Sequence, residues 1–129
     1  NIKFNIATCK TRRDKTYINQ QMTWNEIRDR VKETYRTRET VQEYKAMSKS
    51  KQADIKDVGG FVAGQLKDGR RNNLSVISRS MITLDLDFAP ADFWDMVDML
   101  DDMCCCMYST HKHTQQTPKY RLIIPASRI

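Results

Sequence analysis

The chain has 129 residues, with 22 Lys and Arg against 16 Asp and Glu, a formal net charge of +6, and 40% hydrophobic residues. This length fits one domain, and the composition excludes collagen-like and low-complexity chains. The longest apolar run, Met103 to Tyr108, is far shorter than the roughly 18 residues of a membrane helix, and no signal or transit segment opens the chain. We therefore expect a folded cytoplasmic domain without a membrane partner.

The charge is unevenly distributed. Residues 1–80 hold 18 Lys and Arg against 9 Asp and Glu, whereas residues 81–129 hold 4 against 7. A basic part favours a polyanionic partner and an acidic part favours a cation, so the two together suit a site that handles phosphates through metal ions. Solvated helix faces explain the same charges equally well.

The first part of the chain predicts a strand followed by two helices. Ile2, Phe4 and Ile6 alternate with more polar residues, which is typical of a half-buried strand running to about Cys9. A basic loop over residues 10–15 follows. Capping boxes at Thr23 and Thr40 then predict a helix over about 23–38 and a shorter one to about Met47, with a mobile connection over 48–56.

The second part predicts strands around one acidic helix. Residues 61–66 and a long strand over 74–87 flank Asp68-Gly69, a hairpin-turn signal. Pro90 opens a helix, and residues 103–108 and 120–124 form a second hairpin. A βαβ crossover with antiparallel additions on one sheet indicates an α+β fold of the RNA-recognition, or ferredoxin-like, type, with helices packed on the sheet.

Asp85 and Asp87 are the sharpest chemical feature. Two carboxylates two residues apart along a strand project from the same side, close enough to share a hard cation such as Mg²⁺. We expect Leu84, Leu86 and Phe88 to form the buried face of this strand. The pair repels itself unless a cation compensates, although acids at an exposed strand end, or capping the next helix, fit the sequence too.

The second feature is the segment from Ser109 to His113. Ser109, His111 and His113 share strand parity, so an extended segment places a hydroxyl and two imidazoles on one side. An imidazole near a metal-phosphate centre can donate to a phosphate oxygen. Taken singly, a histidine in a polar loop is more often simply solvated.

Over residues 55–129 the sequence resembles the archaeo-eukaryotic primase superfamily, most closely the primase domain at the front of phage and plasmid virulence-associated-E-type primase-helicases. Ile82 to Phe88 resembles the family's acidic motif, and Tyr108 to His111 its Ser-x-His motif. The run Thr117 to Pro125 is similar to the segment that follows the histidine, and Lys56 to Gly64 to one upstream of the acids.

The resemblance implies template-directed nucleotidyl transfer in DNA replication by two-metal chemistry. Asp85 and Asp87 would bind Mg²⁺ or Mn²⁺, and His111, with Ser109, would contact the triphosphate. Arg121 and Arg79 are further candidates for phosphate binding. The implied partners are single-stranded DNA template, nucleoside triphosphates and a helicase domain in the same parent polypeptide, in a bacterial host cell.

The family's third motif supplies another acidic ligand downstream, and no matching Asp precedes Ile129. The sequence is therefore interpreted as a truncated primase catalytic core over residues 1–129, with a basic strand-helix section over 1–54 and a catalytic sheet section over 55–129. We expect the fragment to be inactive by itself, although its parent is expected to be an enzyme.

Two other functions stay open. The first is a non-catalytic module that binds single-stranded nucleic acid through the basic residues of helix 23–38 and loop 10–15, with Tyr17 or Tyr35 stacking on bases. The second is a replication-initiator nuclease of the HUH type, because His111 and His113 superficially match its paired histidines. Here Lys112 replaces the bulky apolar residue that separates the histidines in that family.

Overall fold

A computed structural model describes residues 2–99 and 104–126 of the chain. It confirms the α+β class. The strands are β1 (Lys3–Cys9), β2 (Ile18–Thr23), β3 (Gly60–Val62), β4 (Gly64–Leu66), β5 (Val76–Arg79), β6 (Met81–Leu86), β7 (Cys106–Ser109) and β8 (Tyr120–Pro125), and the helices are α1 (Trp24–Lys32), α2 (Val41–Ala46), α3 (Lys49–Ile55) and α4 (Phe93–Asp98). Within these described ranges, no helix has the length and apolarity to cross a membrane.

The first ladder has the order β2-β1-β3, and both neighbours of β1 run antiparallel to it. The alternation that predicted β1 is confirmed, because Phe4 and Ile6 are buried. β2 was not predicted. Its sequence is largely polar and its side chains are exposed or half-buried, so hydrophobic periodicity carries no signal there, and the strand depends on pairing with β1.

The helix starts follow the sequence more closely than the helix ends. Both predicted capping boxes form, with Thr23 and Thr40 accepting from the amides of Glu26 and Glu43. α1 ends at Lys32 rather than near residue 38, which leaves Tyr35 outside the helix and half-exposed. The predicted mobile connection over 48–56 is wrong, because α3 forms there.

Buried Gln52 explains why α3 forms in a polar segment. Its side-chain amide donates to the backbone carbonyls of Tyr44 and Met47 at 2.9 and 3.1 Å, and Ser48 caps the helix. A satisfied buried amide fixes the helix against α2, whereas the sequence shows only polar residues.

The predicted strand over residues 74–87 is broken at Ser80, which is fully buried. The Ser80 amide donates to the Ala63 carbonyl at 3.0 Å, its carbonyl accepts from the Ala126 amide at 2.9 Å, and its hydroxyl donates to the Asn5 carbonyl at 2.5 Å. The described strands therefore form three ladders and not the single sheet that the sequence predicts, and the second ladder consists of β4 and β5. Ser80 joins all three.

β4 and β5 form the hairpin that Asp68-Gly69 predicted. Both of these residues have positive φ, 54° and 69°. Such a backbone is tolerated by Asp and favoured by Gly, which is why the dipeptide marks the turn. The connection contains two short 3₁₀ turns, Lys67–Gly69 and Asn73–Ser75.

The third ladder has the order β6-β8-β7. Since β8 pairs antiparallel with both neighbours, β6 and β7 run parallel to each other, and α4 lies between them in sequence. This is a split β-α-β arrangement with a strand inserted between the parallel pair. The predicted hairpin of residues 103–108 with residues 120–124 is confirmed for residues 106–108, which pair with β8, whereas Cys104 and Cys105 precede the strand. Met103, and Leu100 of the predicted acidic helix, lie outside the described residues.

One core joins the two sections of the sequence. Phe4, Ile6 and Ile27 from residues 1–54 pack with Ala63, Met81 and Ile123 from residues 55–129. The division near residue 54 therefore does not separate two cores. This packing fixes the third ladder against α1 and β1.

The close approach of β4 to β5 supplies a test of the fold. A Cβ at Gly64 would overlap the Ser78 carbonyl, whereas a Cβ at Gly60 would meet nothing nearer than the Cys9 Sγ at 3.8 Å. We expect Gly64→Ala to reduce the free energy of unfolding by about 1–3 kcal/mol or more, because backbone atoms must move apart. Gly60→Ala is the matched control. Urea denaturation of both variants measures the difference, and equal stabilities would contradict the described ladder.

Candidate active site

A charged row crosses the third ladder from strand to strand. Asp85 on β6 pairs with Arg121 on β8, and Arg121 pairs with Tyr108 on β7. Directly paired residues share one face of a sheet, and here their side chains touch. The Arg121 Nε donates to the Asp85 carboxylate at 2.6 Å, and its Nη1 donates to the Tyr108 hydroxyl at 3.1 Å.

Arg121 has the central position in this row. Its guanidinium also lies 5.9 Å from the centre of the Tyr108 ring. Burial of the guanidinium works against its charge, but hydrogen bonds to Asp85 and Tyr108 outweigh that effect and raise the pKa of Arg121. Arg121 therefore stays charged and is held in place by both neighbouring strands.

A second acid-base pair lies beside the first. The Lys119 Nζ is 3.5 Å from the Asp87 carboxylate, and the Lys119 carbonyl accepts from the Thr110 amide at 3.0 Å. Asp87 directly follows β6 and Lys119 directly precedes β8, so this pair lies at the end of the ladder, next to the face that carries Asp85 and Arg121. The same face begins in the core, at Met81 and Ile123, and becomes charged toward this end of the ladder.

The buried face of β6 is not the face that the sequence predicts. The predicted buried face is wrong, because Leu84 is 43% exposed and Phe88 is 97% exposed. Met81, which shares parity with Asp85, is buried instead. The break at Ser80 explains the difference, since the alternation predicted for one long strand does not continue through it.

The acidic pair has the donor chemistry of a hard-cation site. Asp85 and Asp87 retain 63% and 61% of their side-chain exposure, so solvent ions can reach both carboxylates. Magnesium is commonly held by one or two carboxylates together with substrate phosphates, and these oxygen donors fit it. Within residues 2–99 and 104–126, no three His, Cys, Asp or Glu residues gather as a metal cluster.

His111 lies next to Thr110, which is bonded to Lys119 at the charged end of the ladder. Its ring packs edge-on against Tyr44 of α2, with 4.6 Å between ring centres. Its Nε2 is 3.8 Å from the Glu39 Oε1, a buried oxygen without a hydrogen-bond partner. The basic section of the chain therefore holds the imidazole from one side.

The other predicted site residues are dispersed. Ser109 pairs with Tyr120, one residue from Arg121, so its side chain lies on the opposite face from Asp85. The extended run through residue 113 does not persist, because a turn follows Thr110. His113 packs on Tyr120, and its Nδ1 accepts from the Lys119 amide at 3.1 Å. The two histidines thus have different partners.

Arg79 is on β5, which pairs with β4, and the break at Ser80 separates it from β6. Among the described residues, no hydrogen bond or ion pair joins Arg79 to the acidic pair. The sequence places Arg79 three alternations before Asp85 on one face of a single long strand, and the break at Ser80 removes the basis for that placement.

Lys119, Tyr108 and Glu39 were not predicted as site residues. Lys119 shares strand parity with Arg121, and Tyr108 is adjacent to the Ser-x-His motif, so both could have been found by extending the alternation. Glu39 gave no signal, because it precedes a helix cap far from His111 in sequence.

The fold and the charged row define an α+β domain with paired acidic and basic side chains at one end of an antiparallel ladder. The family model described as the VapE N-terminal domain matches residues 1–129. The chain therefore belongs to the VapE N-terminal domain family, which confirms the resemblance stated above. No curated protein and no solved structure gives a match.

The Glu39 carboxylate supplies a pH test of this site. Hydrogen bonding from the Thr37 side chain, together with nearby backbone amides and His111, lowers the pKa of Glu39 from its ordinary value of 4.5. A lowered pKa in the folded state stabilises the protein above pH 4.5, and this contribution is lost as the pH falls through the folded pKa. The stability advantage of wild type over Glu39→Gln should therefore shrink between pH 7 and pH 3.

Thermal denaturation of both proteins across this pH range measures the effect. Thr37→Val removes the largest cause of the lowered pKa, so we expect its own deficit against wild type to shrink over the same range. An advantage of wild type over Glu39→Gln that is constant, or grows on acidification, would contradict the described environment of Glu39.

Proposed function

We propose that this chain is part of the catalytic core of a DNA primase and takes part in template-directed nucleotidyl transfer. One observation carries the proposal: Asp85 of β6 is paired with Arg121 of β8, and Asp87, directly after β6, is paired with Lys119, directly before β8. Exposed carboxylates next to cationic groups suit a reaction in which metal ions and a triphosphate meet. Membership of the VapE N-terminal domain family supports this interpretation.

In this proposal, Asp85 and Asp87 hold Mg²⁺ or Mn²⁺. When bound, the ion neutralises charge on the triphosphate and activates the primer hydroxyl. The carboxylates supply the hard oxygen ligands that such an ion prefers, and their exposure leaves room for substrate.

Arg121 and Lys119 have two roles in this proposal. In the structure they balance the charge of Asp85 and Asp87, and with nucleotide bound they face phosphate oxygens along the same row. Arginine suits both roles because its planar guanidinium can bind either a carboxylate or a phosphate through paired hydrogen bonds. His111, held by Tyr44 and Glu39, would donate to the triphosphate from the same end of the ladder.

The same proposal extends to the catalytic sheet as a whole and to its partners. The β6-α4-β7-β8 unit would be half of an RNA-recognition-like catalytic sheet, and a further acidic ligand would come from sequence beyond residue 129. Single-stranded DNA template and nucleoside triphosphates are the proposed partners, with a helicase domain in the same polypeptide.

Primer synthesis on single-stranded DNA tests the proposal. The parent polypeptide would be assayed with Mn²⁺ and labelled nucleotides, as wild type and as Asp85→Ala, Asp87→Ala and His111→Ala. We expect each variant to lose activity by about a hundredfold or more, because each removes a group that stabilises charge in the reaction. EDTA should abolish the product.

Asp95→Ala is the matched control, since Asp95 is an exposed acid on α4 and, among the described residues, no hydrogen bond or ion pair joins it to the charged row. It should retain wild-type activity. Product formation by Asp85→Ala and Asp87→Ala at the wild-type rate would refute the proposal. Cleavage of DNA with a tyrosyl adduct would favour the nuclease alternative instead.

A further inference from the structure

A basic groove lies between two loops that have no part in the acidic site. It is formed by residues 12–16, which follow β1, and residues 70–72, which follow the Asp68-Gly69 turn, and it encloses about 450 Å³. None of the residues of the charged row lines it. The groove therefore needs an explanation separate from nucleotidyl transfer.

The walls of the groove are fixed to one another by backbone bonds. The Tyr17 amide donates to the Gly69 carbonyl at 2.7 Å, and the Arg71 amide donates to the Lys15 carbonyl at 3.3 Å. On the outer side, the Arg12 amide donates to both carboxylate oxygens of Asp57, at 2.9 and 3.1 Å. The shape is thus built before any ligand arrives, which lowers the entropic cost of binding.

The lining is strongly cationic. Five basic residues and one acidic residue, Asp14, line the groove. The Asp14 carboxylate already accepts hydrogen bonds from the amides of Lys10 and Thr11, at 3.0 and 3.2 Å. Asp54 neutralises part of this charge by pairing with two of the arginines. The remaining positive charge is on exposed side chains. The five basic residues are Arg12, Arg13, Lys15, Arg70 and Arg71.

The absence of an accessible aromatic ring among the lining residues narrows the class of ligand. Tyr17, predicted as a stacking platform, is only 6% exposed and lies beneath the Arg71 guanidinium, 5.7 Å from its ring centre. A base cannot stack there. A groove that offers cations and no stacking surface suits phosphates rather than bases.

We propose that this groove binds the sugar-phosphate backbone of nucleic acid, without base readout, as a contact separate from the charged row. The proposal does not depend on nucleotidyl transfer, because it needs neither metal nor Asp85. A free nucleoside triphosphate carries the same kind of phosphate groups as a nucleic-acid backbone. Competition by free triphosphate in the experiment distinguishes these two ligands.

Fluorescence anisotropy of a labelled single-stranded oligodeoxynucleotide tests the groove, with the 129-residue chain in EDTA over a series of salt concentrations. Lys15→Glu with Arg70→Glu reverses two exposed cations in the groove. Lys3→Glu with Lys45→Glu makes the same change of net charge at exposed positions outside it. Circular dichroism would verify that both double variants are folded.

We expect the groove variant to bind about tenfold or more weakly, and the dependence of log affinity on log salt to fall by about two, one for each lost phosphate contact. The control should keep most of its affinity, and free nucleoside triphosphate should compete poorly. Equal losses in both variants, or none, would overturn the proposal. Strong competition by triphosphate would assign the groove to nucleotides instead.

Discussion

The position of β8 between β6 and β7 is the constraint on which the candidate site depends. Because Arg121 is on the central strand, it reaches Asp85 on one neighbour and Tyr108 on the other. Lys119, directly before this strand, is paired with Asp87, and its carbonyl accepts from the amide of Thr110, next to His111. One central strand thus brings together residues from both motifs of the sequence. If β8 lay at an edge, it could pair with only one of these strands.

The sequence predicted the elements that periodicity or capping specifies, and failed where pairing or a buried polar contact decides. β1, both capping boxes and the Asp68-Gly69 turn follow from local chemistry. β2 and α3 do not, since one depends on the ladder with β1 and the other on buried Gln52. Ser80 is the clearest case, because its contacts with Asn5, Ala63 and Ala126 are all distant in sequence.

The same distinction applies to the site. Asp85 and Asp87 could be placed on one side from strand alternation, whereas the contact of Asp85 with Arg121 depends on the register of β6 with β8. Ser109 and Arg79 could not be placed reliably, because strand parity changes whenever a strand pairs in another register or breaks. The surroundings of His111 depend on a loop and a helix from the basic section, so only the tertiary fold reveals Glu39 and Tyr44 beside it.

The most direct test of the account is the location of bound Mn²⁺ on the chain, measured by paramagnetic broadening of backbone amide signals in NMR spectra. The account predicts that sub-stoichiometric Mn²⁺ broadens the amides around residues 85–87, 108 and 119–121 first. Asp85→Asn with Asp87→Asn should prevent this broadening without changing the rest of the spectrum. Broadening centred instead on α4, or unchanged by the double substitution, would contradict the assignment of the acidic pair as the metal site.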